Sequence, residues 1–194
     1  MQKLTAADLM TLEAYARERP SFRSKVIAHK KTRTVGVGPN STWLFEDRLT
    51  IHYQVQEMLR TERIFEPEGI AEELHAYNPL IPDGRNWKVT LLVEFADPAT
   101  RPQYLARLKG IEDRCYVQVA DFSRVYAIAD EDLERENEEK TSSVHFLRFE
   151  LSEAMINALR TGAGLVIGID HANYTHANDS LAENTRKALL ADFA

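Results

Sequence analysis

Residues 45–65, FEDRLTIHYQVQEMLRTERIF, constrain the fold of this 194-residue chain more than any other segment. At about 100° per residue, the apolar side chains recur on one stripe, as they do in a helix that buries one face. The stripe consists of Leu44, Ile51, Val55, Met58 and Leu59. Because Ser41 or Thr42 can cap a helix just before this stripe, the sequence predicts a long central helix that begins there.

A second face of this helix mixes polar groups with apolar neighbours. His52, Gln56 and Arg60 follow one another at every fourth position and so form a row along one flank. Glu57 and Arg63 lie close to that row. A solvated face would carry fewer apolar residues, and a core face would not carry two arginines. The row therefore indicates either a buried polar network or the wall of a pocket.

The composition is that of a globular protein. Apolar residues make up 44% of the chain and charged residues 28%, without a repeat or a low-complexity tract. The first residues lack the pattern of a signal peptide, and no apolar run approaches the roughly 20 residues that span a bilayer. We therefore expect a cytoplasmic protein without membrane contact. Cys115 is the single cysteine, so an intrachain disulfide is excluded, and its apolar surroundings predict a core position.

Charge is distributed unevenly along the chain. Up to Phe65 there are eleven Lys and Arg against seven Asp and Glu, whereas residues 130–140, DEDLERENEEK, are strongly acidic. The net charge of −6 argues against a nucleic-acid partner, because binding to a duplex needs a basic face. The basic first third keeps a small anionic ligand among the candidate partners. The acidic run is expected to be a solvated connection.

Helical and strand patterns alternate along the rest of the chain. Two short helices are expected within residues 1–33, one ending at Pro20 and the next running from Ser21 toward His29. Strands are expected at residues 87–95, 115–119, 125–129, 143–151 and 165–170, the second and third forming a hairpin. A polar loop and a final helix to Phe193 follow.

This order of elements predicts an α+β fold in one domain, residues 1–194. We expect a mainly antiparallel sheet packed against the long central helix and several shorter helices. Residues 1–33 should form a helical segment that packs onto this domain. A homodimer is the default assembly, because C₂ pairs are the commonest.

The polar row and two strand positions together form the candidate ligand site. His145 lies on the strand at 143–151, and Asp170 and His171 lie at a strand end, where functional side chains often sit. Arg60 is suited to clamping a planar anion, and Gln56 to donating amide hydrogen bonds. The ligand-binding candidates are His52, Gln56, Glu57, Arg60, Arg63, His145, Asp170 and His171.

Two alternatives to a binding protein stay open. A metal-dependent enzyme would use His52, His145 and His171 to hold zinc or non-haem iron. Because no ligand spacing such as HExxH is present, no metal is the first expectation. A structural subunit would bury the same polar row as a paired network without a ligand. The sequence shows no nucleophile elbow, P-loop or dinucleotide fingerprint, so the catalytic residues and the cofactor are unknown.

Four runs of the sequence resemble a known family. They are FEDRLTIHYQVQEML, ELHAYNPLIPDG, AIADEDLERENEEKTSSVHFLRFEL and IGIDHANY. They are similar to the uncharacterised bacterial proteins grouped as domain of unknown function 3501, and the resemblance covers nearly the whole chain. It implies an association with rubrerythrin-like and iron–sulfur oxidoreductases, hence a redox partner and a role in peroxide defence, but no activity. A chain with one cysteine is not expected to hold an iron–sulfur cluster itself.

Overall fold

The computed structural model describes residues 2–132, 135, 137 and 139–193, and these residues form nine strands and six α-helices. The strands are β1 Thr34–Gly36, β2 Ser41–Phe45, β3 Asn86–Val93, β4 Cys115–Val119, β5 Val125–Tyr126, β6 Ile128–Ala129, β7 Val144–Glu150, β8 Leu165–His171 and β9 Tyr174–Asn178. The helices are α1 Leu12–Lys30, α2 Arg48–Glu62, α3 Pro67–Tyr77, α4 Arg101–Arg107, α5 Glu153–Arg160 and α6 Glu183–Leu190. Short 3₁₀ helices occur at Ala6–Asp8, Asn78–Leu80 and Glu112–Arg114.

The strands form two antiparallel sheets. The first has the order β1-β2-β3-β7-β6, and the second has the order β5-β4-β8-β9. The predicted α+β class with antiparallel sheets is confirmed. Among the described residues, no helix combines the length and the apolar composition that crossing a bilayer requires.

The main core lies between the two sheets. Alternate residues of the first sheet point into it, and Trp43 of β2 stacks on Phe149 of β7 with 5.5 Å between ring centroids. The second sheet contributes Val117, Ile167 and Ile169, which are fully buried. Because the burial of one large apolar side chain contributes roughly 1.5–3 kcal/mol, this layer is a main source of stability.

The first sheet turns its other face toward α2 and α3. A second apolar cluster lies there, with Ile51, Val55 and Leu59 of α2 packed near Leu74 of α3. This confirms a buried stripe on the central helix. Its member Leu44 lies instead in β2, so the stripe is shorter than predicted.

The predicted start of the central helix, after Ser41 or Thr42, was wrong. Residues 41–45 form β2, and α2 begins at Arg48 with Asp47 as its N-cap, whose Oδ1 accepts hydrogen bonds from the amides of Leu49 and Thr50. The β-branched and aromatic residues of β2 alternate between buried and half-buried positions, which suits a strand better than a helix. The helix ends at Glu62, and Arg63 closes it in the left-handed conformation.

Two short helices were predicted where the structure has one, because α1 runs through Pro20. A proline removes one hydrogen bond of the helix and usually bends or ends it. Here Tyr15 and Val26, on either side of Pro20, are buried, and α1 packs along α2. Tertiary packing therefore overrides the local signal.

The predicted hairpin was only half right, and a second strand, in addition to β2, was missed. β4 pairs with β5, but β6 belongs to the first sheet, where it pairs with β7. The polar loop expected after His171 contains β9, which pairs with β8 as an edge strand. Most of β9 is exposed, so its residues carry no apolar alternation that a sequence could reveal.

Arg33 ties the N-terminal third to the end of the chain. Its side chain is 2% exposed, and its NH2 donates to Asp192 Oδ2 at 2.5 Å. The guanidinium also donates to the carbonyls of Phe45, Glu46 and Ala188. Burial raises the pKa of Asp192 to about 6, although Arg33 opposes this shift. The pair is therefore fully ionised only above that pH.

Replacing this guanidinium should destabilise the fold strongly. Arg33→Met leaves the buried carboxyl of Asp192 and three carbonyls without their donor, so we expect a loss of about 3 kcal/mol at pH 8. Urea unfolding monitored by tryptophan fluorescence measures it. Arg23→Met, at an exposed position of α1, is the matched control and should cost less than about 0.5 kcal/mol. Equal losses in the two variants would contradict the assignment.

Candidate functional site

A pocket of about 430 Å³ lies between the first sheet and the α2–α3 region. Its apolar wall consists of Met58, Ala76, Tyr77, Pro79, Leu80, Phe146 and Leu147. Charged side chains of both signs complete the lining, namely Glu73, Lys88, Glu131, Asp132, Arg135 and Arg148. A cleft of this size that combines apolar surface with convergent polar groups is a usual form of a small-molecule site.

Two cations face each other on the sheet at this pocket. Lys88 of β3 is directly opposite Arg148 of β7 in the strand register. Like charges at opposed positions of an antiparallel pair are destabilising. Arg148 is compensated, because it donates to both carboxylate oxygens of Glu131 at 2.7 Å and to Glu150 at 2.5 Å. The positive charge of Arg148 is therefore neutralised by carboxylates of the protein itself.

Lys88 lacks such compensation. Its side chain is half-buried, and no ion pair or side-chain hydrogen bond among the described residues includes its ammonium. Burial lowers the pKa of Lys88, and the charge of Glu131 only partly opposes this shift. The amine is therefore a free hydrogen-bond donor at the sheet side of the pocket.

Arg135 links this pocket to the interior. It lies over the ring of Phe146 at 4.5 Å, and it pairs with Asp132 at 2.5 Å and with Asp130 at 3.3 Å. The expectation that the acidic run is a solvated connection was therefore incomplete, because Asp130 and Arg135 are largely shielded from solvent. Residues 133, 134, 136 and 138 of that run lie outside the described part.

The polar row of α2 mostly joins this helix to the N-terminal segment. Gln56 is fully buried, and its Oε1 accepts a hydrogen bond from the amide of Met10 at 2.6 Å. Glu57 accepts hydrogen bonds from Tyr15 at 2.6 Å and from Arg19 at 2.7 and 2.8 Å. The hydrogen bonds from Arg19 hold the pKa of Glu57 at about 2. These contacts are those of a helix–helix interface.

The other members of the row are placed differently. His52 is half-buried with its ring edge on Phe22, and burial lowers its pKa. Arg60 is exposed and lies 3.7 Å from Glu57, and Arg63 is an exposed helix cap. Met58, which sequence reasoning assigned to the buried stripe, is the α2 residue that lines the pocket.

The strand candidates lie at two further places. His171 Nε2 is 2.9 Å from the carbonyl of Lys109, and its Nδ1 accepts a hydrogen bond from the amide of Asn173. Asp170 pairs with Arg124 at 2.9 Å and accepts a hydrogen bond from Tyr126, while its Oδ1 is buried without a partner among the described residues. Both residues lie at the end of β8, as expected.

His145 is fully buried among polar groups. Its Nδ1 lies 2.6 Å from Asp130 Oδ2, and its Nε2 lies 3.8 Å from Glu112 Oε2. Burial disfavours the charged ring, but the hydrogen bond to Asp130 and the charge of Glu112 raise the pKa of His145 overall. Donor atoms of these three residues lie within 4.8 Å of one another, the one group of this kind in the described part of the chain.

The structure does not bring His52, His145 and His171 to a shared metal position. Among the described residues, only His145 of the three belongs to a group of close metal-ligating atoms. Sequence reasoning missed Glu112 and Asp130, because they come from a 3₁₀ helix and from the turn after β6. It also missed Lys88, for which the available signal was a charge between Trp87 and Val89 in a mostly apolar strand.

Comparisons with known proteins give a family and a fold. The crystal structure of a novel protein of unknown function from Burkholderia pseudomallei K96243, at 1.90 Å resolution, is 50% identical, with a TM-score of 0.92 and full coverage of both chains. No curated protein matches this sequence. Residues 3–193 match the family described as protein of unknown function DUF3501. The chain therefore belongs to the DUF3501 family.

Proposed function

We propose that this protein binds a small anionic ligand with an apolar body in the pocket between the first sheet and the α2–α3 region. The observation that carries the proposal is Lys88, a half-buried ammonium directly opposite Arg148 that forms no ion pair within the described part of the chain. The predicted class of ligand is retained. The predicted site moves from the row of His52 and Arg60 to the side of α2 that carries Met58.

The energetics of Lys88 favour an anion. A partly desolvated charge is costly unless an opposite charge and hydrogen bonds compensate for it. Glu131 is close enough to influence Lys88, but its two oxygens already accept from Arg148. A carboxylate or phosphate oxygen in the pocket would supply the missing acceptor.

The remainder of the lining indicates the body of the ligand. Tyr77 and Leu80 offer apolar surface opposite the charged floor, and Phe146 adds apolar surface to the floor itself. A volume of about 430 Å³ lies in the range of pockets that bind small organic molecules, roughly 300–1,000 Å³. A monocarboxylate with an aromatic or medium-length aliphatic body fits both features.

An accessory role beside a cytoplasmic redox protein, the context implied by the family resemblance, is a further part of this proposal. In that role, the protein would hold an anionic small molecule in this pocket for its partner. Ligand binding by the isolated chain does not depend on this context.

Binding should require the amine of Lys88. We expect aromatic and medium-chain carboxylates to bind wild type, as measured by isothermal titration calorimetry. Lys88→Met should weaken this affinity at least about tenfold, which corresponds to 1.4 kcal/mol. Lys187→Met, at an exposed position of α6, is the matched control and should leave it unchanged. If uncharged amides of the same acids bind equally well, the charge has no role and the proposal fails.

Lys88 should also reduce the stability of the ligand-free protein. Because Met removes a desolvated charge opposite Arg148 and adds apolar contact, we expect Lys88→Met to raise the free energy of unfolding by roughly 1 kcal/mol. Chemical denaturation without ligand measures the change. A loss of stability instead would indicate that Lys88 serves the fold rather than a ligand.

The second candidate function is a structural one, in which the polar row of α2 stabilises the fold without a ligand. The pKa of Glu57 favours it. Its folded pKa of about 2 lies below its usual value near 4.5. The stabilisation is therefore fully present above pH 4.5 and is lost as the pH falls through about 2. It reflects the contacts of Glu57 with Tyr15 and Arg19, which fasten α1 to α2.

Glu57→Gln should remove this stabilisation. We expect a loss of about 1 kcal/mol at pH 7, discounted for partial exposure, and no difference from wild type near pH 2. Urea unfolding as a function of pH provides the test. Glu62→Gln, on the exposed side of α2, should change neither value. A pH-independent difference between Glu57→Gln and wild type would show that charge is not the cause.

A further inference from the structure

We propose that Glu112, Thr141 and His145 form a binding site for one divalent first-row cation, with Asp130 as a positioning residue. The site is separate from the anion pocket. It also differs from the three-histidine site that the sequence left open as an alternative, because it uses only one histidine and takes its other donors from oxygen.

The distances around His145 Nε2 are those of ligands that share an ion. Thr141 Oγ1 lies 3.0 Å from Nε2, the carbonyl oxygen of Ser142 lies at 3.1 Å, and Glu112 Oε2 lies at 3.8 Å. Thr141 Oγ1 and Glu112 Oε2 are 3.5 Å apart. Two ligands that each lie about 2.1 Å from one ion are separated by about 3–4 Å.

The chemistry of these groups favours a cation at their centre. The carbonyl of Ser142 and the carboxylate of Glu112 can only accept hydrogen bonds, and both face the same ring nitrogen. The hydroxyl of Thr141 also faces Glu112 Oε2, at the long hydrogen-bond distance of 3.5 Å. Imidazole together with carboxylate, hydroxyl and carbonyl oxygens suits Zn²⁺, Mn²⁺ or Fe²⁺.

The environment is also shielded and negative. The side chains of Glu112 and Asp130 are 12% and 11% exposed, and His145 is fully buried. Two carboxylates thus meet one ring in a largely dry place, where charges need partners of opposite sign, and Arg135, 3.3 Å from Asp130 Oδ1, is one such partner. The competing occupant is a proton on His145, which would make the ring a cation between these acids.

Asp130 would orient the histidine ring without binding the ion itself. Its Oδ2 lies 2.6 Å from Nδ1, so it can accept the Nδ1 proton and leave the lone pair of Nε2 toward the oxygens. Metal-bound histidines are usually oriented in this way. The carboxylate is itself fixed, because its Oδ1 accepts hydrogen bonds from the amide of Phe146 at 2.9 Å and from Arg135.

An ion here would connect parts of the chain that are distant in sequence. Glu112 belongs to a 3₁₀ helix, Thr141 precedes β7, and His145 lies on β7. By fixing Asp130 it would also hold Glu131, which binds Arg148 in the anion pocket. Metal binding is therefore expected to tighten the segment that borders that pocket.

The test measures binding of Zn²⁺ and Mn²⁺ to the full chain, purified without a histidine tag and freed of metal by a chelator. Isothermal titration calorimetry should give one site per chain for at least one of the two ions. Glu112→Gln should weaken the affinity at least tenfold. Asp130→Asn should weaken it about 10–100-fold with the stoichiometry retained, as expected for an outer ligand.

Two controls separate this site from surface binding and from misfolding. His75→Asn removes an exposed histidine of α3 and should leave the affinity unchanged. The thermal shift caused by the metal should be large in wild type and small in Glu112→Gln, whatever the melting temperature of each variant without metal. His145→Asn should abolish binding, and if it does not fold, the other two variants decide.

Two results would overturn the proposal. One is the absence of Zn²⁺ and Mn²⁺ binding at millimolar concentration, which would leave a protonated His145 as the occupant. The other is equal affinity in wild type, Glu112→Gln and Asp130→Asn, which would place the ion elsewhere on the surface.

Discussion

The alternation of side chains along β3 and β7 is the constraint on which the rest of the structure depends. Trp87, Val89, Leu147 and Phe149 fill the layer between the two sheets. Because neighbours in a strand point to opposite faces, residues between these positions must face α2 and α3. Apolar packing on one side of the sheet therefore fixes where the charged floor on the other side lies.

One strand consequently serves two polar sites of different character. On its inner face β7 presents His145 to Asp130 and Glu112, and on its outer face it presents Arg148 opposite Lys88. The residues after β6 connect the two, since Asp130 contacts the inner group and Glu131 the outer one. Two acids adjacent in sequence thus each contact one of the two groups.

The sequence predicted the class of fold because periodicity carries that information. The strand alternation around His145 and the apolar stripe of Ile51, Val55 and Leu59 are both present in the structure. Periodicity could not reveal how one element packs against another. Pro20 does not end α1, since packing on α2 supports the helix, and β9 has no apolar face because it is an exposed edge.

The candidate site was predictable only in part. The polar row of α2 signalled buried polar contacts, and Gln56 and Glu57 make them, but with the N-terminal segment. The two clusters proposed as sites bring together residues more than twenty positions apart, such as Lys88 with Arg148 and Glu112 with His145. A local pattern cannot encode such pairings, since they arise from strand register and from the crossing of β6 into the first sheet.

The pair of Arg33 and Asp192 spans 159 positions of the chain. During synthesis a chain leaves the ribosome from its N-terminus, so Arg33 is made 159 residues before Asp192. Until then, the acid that faces this guanidinium is Asp47, whose Oδ2 lies 3.5 Å from Arg33 Nε. The guanidinium is therefore expected to gain its second acidic partner only when the residues that follow α6 have docked, which makes this contact a late one in folding.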